Sequence, residues 1–200
     1  MEIKVYRQGE SIPVFVFLAN SLKDLQLAMK FVEEEDKKAG ITTIYKIPYA
    51  KDLAKRDISS FTDSYINQKL KEMDEDLADI TSEAQVIEGR ILYIAAQEGI
   101  AITTDEVKQK IALFVAGAYT QEQAIEDLKA KGLSDESVQK ILPLLARAVE
   151  IARIFNWKEE IWDKEGELES QIDSMTLEEL LQVDVKKLCE EAYNQIPLEA

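Results

Sequence analysis

The chain has 200 residues, 39 acidic against 24 basic side chains, a formal net charge of −15 and no histidine. That charge repels phosphate backbones and anionic bilayers, so neither nucleic acid nor a membrane is an expected partner. Without histidine the chain lacks the commonest general base and the usual zinc ligand, and its single cysteine, Cys189, rules out an intrachain disulfide. Hydrophobic residues make up 46% of the chain, enough to pack a globular core. The N-terminal stretch MEIKVYRQGE has no apolar signal core, and no apolar run of about 18 residues occurs. The expected location is therefore cytoplasmic, or the intracellular phase of a virus.

Strand signals cluster at the start. EIKVY alternates, IPVFVFL is rich in β-branched and aromatic residues, and ITTIYKI (41–47) is a third candidate stopped by Pro48. Between them, residues 21–39 support two periods. Leu22, Leu25, Met29 and Val32 repeat at helical spacing, while Leu25, Leu27, Met29 and Phe31 alternate as in a strand. The first reading makes residues 1–50 a small ββαβ unit and the second a small antiparallel sheet.

A heptad seam follows. Ile66, Leu70, Met73, Leu77, Ile80, Ala84, Ile87, Ile91 and Ile94 are spaced alternately four and three apart. The spacing predicts a long coiled-coil-like helix over 58–98, whose stretch from about Ser60 to Gln97 would be about 55 Å long at ~1.5 Å per residue. Thr81 or Ser82 offers a cap at which it could instead divide in two. Such a rod needs a partner helix, so Ile66, Leu70, Met73, Leu77, Ile80 and Ile87 are candidate interface residues.

Residues 100–200 read as a helical bundle. Capping boxes open helices at Thr103/Glu106, Thr120/Gln123 and Thr176/Glu179, while Ser134 and Asp184 serve as single caps. Gly132 marks a turn between two short helices. Val138, Ile141, Leu145, Ala148, Ala152, Phe155 and Trp162 continue a seam. Leu144, Ile151, Ile154 and Ile161 form a second stripe, which marks a central helix, with Pro143 expected to kink it near its start. Trp157 lies off the seam; it is a further candidate interface anchor if exposed, and packing against the N-terminal unit is the other, favoured reading.

Residues 118–142, AYTQEQAIEDLKAKGLSDESVQKIL, have one half of a DNA-reading helix-turn-helix. The second helix, however, leads with Asp135 and Glu136, which face phosphate unfavourably. Lys51, Lys55 and Arg56 form the local basic cluster through which nucleic acid would have to bind. LEELL (177–181) has docking-motif spacing, but that apolar spacing is simply one face of a packed helix. The acidic runs 33–36 and 74–76 spread carboxylates around a helix instead of converging them. No phosphate-cradling glycine loop, nucleophile elbow or metal-ligand spacing occurs, so no catalytic residue, cofactor or metal is expected.

VYRQGESIPVFVFL (5–18) resembles the N-terminal strands of phage baseplate and tail proteins, and a β-rich head followed by a heptad helix would suit such a structural adaptor. The sequence thus predicts a mainly α fold (α+β overall), with a small strand-containing unit, a long heptad helix and a C-terminal bundle. The expected function is a non-catalytic protein–protein interaction or assembly factor, self-association through the 66–94 seam being one route. An acidic regulator or DNA mimic that binds a basic partner is an alternative.

Overall fold

A computed structural model describes residues 1–198. Three strands and eight helices occur among them: β1 (Glu2–Arg7), β2 (Phe15–Leu18), α1 (Leu22–Lys38), β3 (Tyr45–Lys46), α2 (Ala50–Glu72), α3 (Leu77–Gln97), α4 (Thr104–Val115), α5 (Gln121–Ala130), α6 (Asp135–Ser174), α7 (Leu177–Leu180) and α8 (Val185–Tyr193). The fold is mainly α with a small N-terminal sheet. No described helix is long and apolar enough to cross a membrane. The chain forms two compact units: residues 1–66 with 160–196, and residues 67–159. Helices α2 and α6 contribute residues to both.

In the first unit the sheet order is β2-β1-β3, antiparallel throughout. Residues 21–39 are helix. Ser21 accepts from the Asp24 N–H, and the Asp24 carboxylate accepts from the Ser21 N–H, closing a capping box. Asp57 on α2 accepts from the Leu22 N–H at 2.6 Å, satisfying another open donor of the same helix end. Leu22, Leu25, Met29 and Val32 are buried, whereas Leu27 and Phe31 are exposed. Helical spacing therefore decides burial, and the strand-like alternation came from two apolar residues that α1 does not bury. Of the third strand candidate, Tyr45 and Lys46 alone are ladder-paired.

Three groups from separate elements knit this unit. Arg7 on β1 grips the buried Asp36 of α1 through two nitrogens, at 3.0 and 2.5 Å, and the Tyr45 hydroxyl of β3 donates to the same carboxylate at 2.9 Å. The Arg7 hydrogen bonds hold Asp36 below the usual carboxylate range, while burial pushes Tyr45 up to about 12. On the α8 side Phe61, Tyr65 and Tyr193 stack, and Tyr193 shares a buried hydrogen bond of 2.6 Å with Thr62.

In the second unit the helix expected over 58–98 is two helices. Helix α2 starts earlier, at Ala50, and stops at Glu72. Asp74 takes φ 58°, Asp74 N–H donates to the Lys71 carbonyl and Glu75 N–H to the Leu70 carbonyl, a Schellman ending. Asp76, not Thr81 or Ser82, caps α3 by accepting from the Ala78 N–H at 2.8 Å. Two aspartates that look like part of a solvated helix face thus interrupt the rod. Arg147 of α6 binds Glu83 of α3 at 2.7 Å and Glu75 of the turn at 2.8 Å, which fixes the bend.

All three predicted capping boxes form. Helix α5 likewise ends in a Schellman turn, at Gly132 (φ 99°). The Ser134 Oγ then accepts from the Ser137 N–H, and Glu98 from the end of α3 accepts from the Ser134 N–H at 2.7 Å. Helix α6 continues through Pro143, which lies inside it. Its buried stripe starts on Val138, Ile141 and Leu145 and passes to Ile151, Ile154 and Ile161.

Candidate functional site

An exposed apolar surface lies at the edge of the N-terminal sheet. Met1 and Ala19 exchange backbone hydrogen bonds, with the N-terminal amine donating at 2.7 Å and the Ala19 N–H at 2.9 Å. Hydrogen-bonded pairs alternate along an antiparallel ladder. The register Ile3↔Phe17 and Val5↔Phe15 therefore turns Phe15 and Phe17 toward β1. Val16 and Leu18 turn their N–H and C=O groups away from the sheet, where β2 is the outermost strand.

Side chains on both faces of this edge are apolar. Ile3 and Val5 are fully buried, and their cross-strand partners Phe17 and Phe15 share that inner face. On the outer face Val16 is 52% exposed and Leu18 78%. On the inner side Phe31 of α1 meets Phe15 edge to face, with ring centroids 6.4 Å apart. Leu27 lies one turn before Phe31 on the same helix face and is 59% exposed. The Arg7–Asp36–Tyr45 cluster fixes α1 on the sheet, so Phe31 is held at the strand edge. No charge and no proline occurs within FVFL, although natural edges are commonly blunted by such residues.

The residues singled out by the heptad seam lie elsewhere. Ile66, Leu70, Ile80 and Ile87 are buried, at 4, 2, 0 and 4% exposure, and Met73 and Leu77 are half-buried where α2 turns into α3. Trp157 is 4% exposed, whereas Trp162 is 41% exposed. Ile66, Leu70, Ile80, Ile87 and Ile91 of the seam and Trp157 are core, so most of the apolar face that suggested a docking partner is covered within the chain. The reason is the Asp74 turn: a rod broken at that point can be packed by later helices, and one that overhangs cannot.

Other sequence candidates have structural occupations. Lys51 donates to the Asp173 carbonyl and Lys55 to the Asp173 carboxylate, each at 2.6 Å, and Arg56 donates to the Asn20 carbonyl. In LEELL, Leu180 is fully buried. Cys189 is buried, and desolvation pushes its thiol up to about 11. Among the described residues no group of three or more Cys, Asp or Glu is placed to hold a metal ion. The β2 edge escaped the sequence reading because alternation marks a strand without saying which neighbour it lacks; Leu27 and Phe31, off the buried face of α1, were the available signal. No family model matches the chain, and no curated protein or solved structure matches it either.

Proposed function

We propose that this is a non-catalytic assembly protein that associates with a second copy of itself through the edge of β2. One observation carries the reading: Val16 and Leu18 present unpaired backbone groups and exposed apolar side chains on an edge strand that itself carries no charge, with the Lys4–Glu2 ion pair beside them on the next strand. FVFL is also complementary to itself. With two β2 strands antiparallel and Phe17 opposite Phe17 of the second copy, Val16 faces Leu18 of the second copy. The outward groups of both residues then pair, a closed two-fold arrangement. Phe31 and Leu27 extend the apolar contact on the inner side. This surface replaces the 66–94 seam as the route to self-association.

Sedimentation velocity over roughly 1–100 μM tests it, a span that brackets micromolar self-association. The expected result is a concentration-dependent dimer that becomes a monomer in the Val16→Lys/Leu18→Lys variant, whose thermal midpoint stays near that of the parent because both side chains are exposed. A parent that is monomeric at the top of that range, or a folded double-lysine variant that still dimerises, overturns the reading.

A further inference from the structure

The second unit contains a cavity of about 140 Å³ among α3, α4, α5 and α6. Its apolar lining includes Ile91, Val107, Ala124, Leu128, Ile141 and Leu145, all at 9% exposure or less. Most of the polar groups that line it are paired with one another. Lys110 of α4 binds Asp127 of α5 at 2.5 Å, and the Tyr119 hydroxyl donates to the same carboxylate at 2.6 Å. Lys131 binds Glu106 at 2.9 Å. Lys110 also lies 4.2 Å from the centre of the Tyr119 ring, which in turn meets Phe114 edge to face at 4.9 Å.

We propose that this cavity is a binding site for a small uncharged ring, of benzene to indole size, taken up as a free molecule. Size sets the scale: a cavity of roughly 150 Å³ lined by aliphatic and aromatic side chains takes up benzene, and this one is partly open to solvent, which leaves room for a second fused ring. Chemistry sets the class. The carboxylates among the lining groups are each satisfied by a lysine or a tyrosine, and no buried side-chain N or O lacks a partner among the described residues. An ionic ligand would therefore have to break an existing pair, whereas an uncharged ring displaces nothing and gains dispersion contacts with the aliphatic walls. Two ion pairs, Lys110–Asp127 and Lys131–Glu106, link α4 to the α5 end of the unit. A volume of about 140 Å³ holds one small ring and no attached backbone, which favours a free molecule over a partner's loop. The site lies within the second unit and is independent of the β2 edge.

The test is a titration of the full chain, labelled at its isoleucine and leucine methyls, with indole and with benzoate as the charged control. Indole is expected to give saturable methyl shifts centred on Ile91, Leu128, Ile141 and Leu145, with a dissociation constant on the order of 0.1–1 mM, as for other ligands of so few atoms. Benzoate is expected to give none at equal concentration. Ala124→Leu fills the cavity and should abolish the shifts while the thermal midpoint holds or rises. Should that variant not fold, Ala124→Val supplies a smaller filling and should weaken binding. Absence of saturable indole shifts in the folded parent, an equal response to benzoate, or undiminished binding in a folded filling variant overturns the proposal.

Discussion

The N–H of Glu75 donates to the carbonyl of Leu70 at 2.9 Å. This single bond closes the turn that divides an apparently continuous heptad helix into α2 and α3. It requires Asp74 to sit at φ 58°, a left-handed conformation that costs a non-glycine residue about 1 kcal/mol or more.

Asp74→Gly should therefore stabilise the protein, by on the order of 0.5–1 kcal/mol once the greater freedom of glycine in the unfolded chain is subtracted. Urea denaturation followed by far-UV circular dichroism measures it. Asp74→Ala should go the other way, because alanine keeps the strain and loses the polar side chain that tolerates it. Destabilisation by the glycine variant would show that the turn is not strained at this residue.

Gly132→Ala addresses another such turn, in the opposite direction. The glycine has φ 99°, and an added Cβ would lie 3.3 Å from Ile100 Cδ1. The expected cost is about 1–2 kcal/mol, with a lower thermal midpoint. A variant as stable as the parent would mean that α5 and α6 can be joined without the left-handed turn.

Tyr193 separates ring packing from hydrogen bonding. Its ring is fully buried against Phe61 and Tyr65, and its hydroxyl meets Thr62, which also donates to the Ile58 carbonyl at 3.0 Å. Tyr193→Phe leaves Thr62 with a partner and should cost about 1 kcal/mol. Tyr193→Ala removes the ring and should cost roughly 3–5 kcal/mol. Chemical denaturation of the two variants gives both values, and near-equal losses would contradict the assignment of the ring to the core.

Alkaline stability follows from Cys189. Burial raises its thiol from 9.0 to about 11 in the folded chain. Above pH 9 the unfolded state loses this proton first, so the group's contribution to stability is complete below pH 9 and lost as pH rises toward 11. Stability should decline over that window, and Cys189→Ala should flatten the early part of the decline. In the native protein at neutral pH a thiol reagent should label Cys189 at the rate of unfolding, and fast stoichiometric labelling of folded protein would refute its burial.

Local grammar was legible without any structure. The boxes at Thr103/Glu106, Thr120/Gln123 and Thr176/Glu179 form as spelled, as does the glycine turn at Gly132. The β2 edge was half legible: its strand was expected, but the absence of a neighbour beyond Val16 and Leu18 depends on sheet order, which alternation does not encode. Asp74 was hidden because an aspartate in a left-handed turn has the same one-letter context as an aspartate on a solvated face. Trp157 is buried and Trp162 exposed because the buried stripe of α6 moves from one apolar row to the other along the helix.

By itself, then, the sequence determined the mainly α class, the position of the strand-bearing start and the starts of most later helices, because a cap or a turn involves residues within about four positions of one another. Tertiary structure alone decided which apolar rows are covered. Burial is set by groups far apart in the chain, such as Phe15 with Phe31 or Tyr193 with Thr62. That is why a heptad seam with the pattern of an interface became core, and why the exposed apolar edge lies on a four-residue strand.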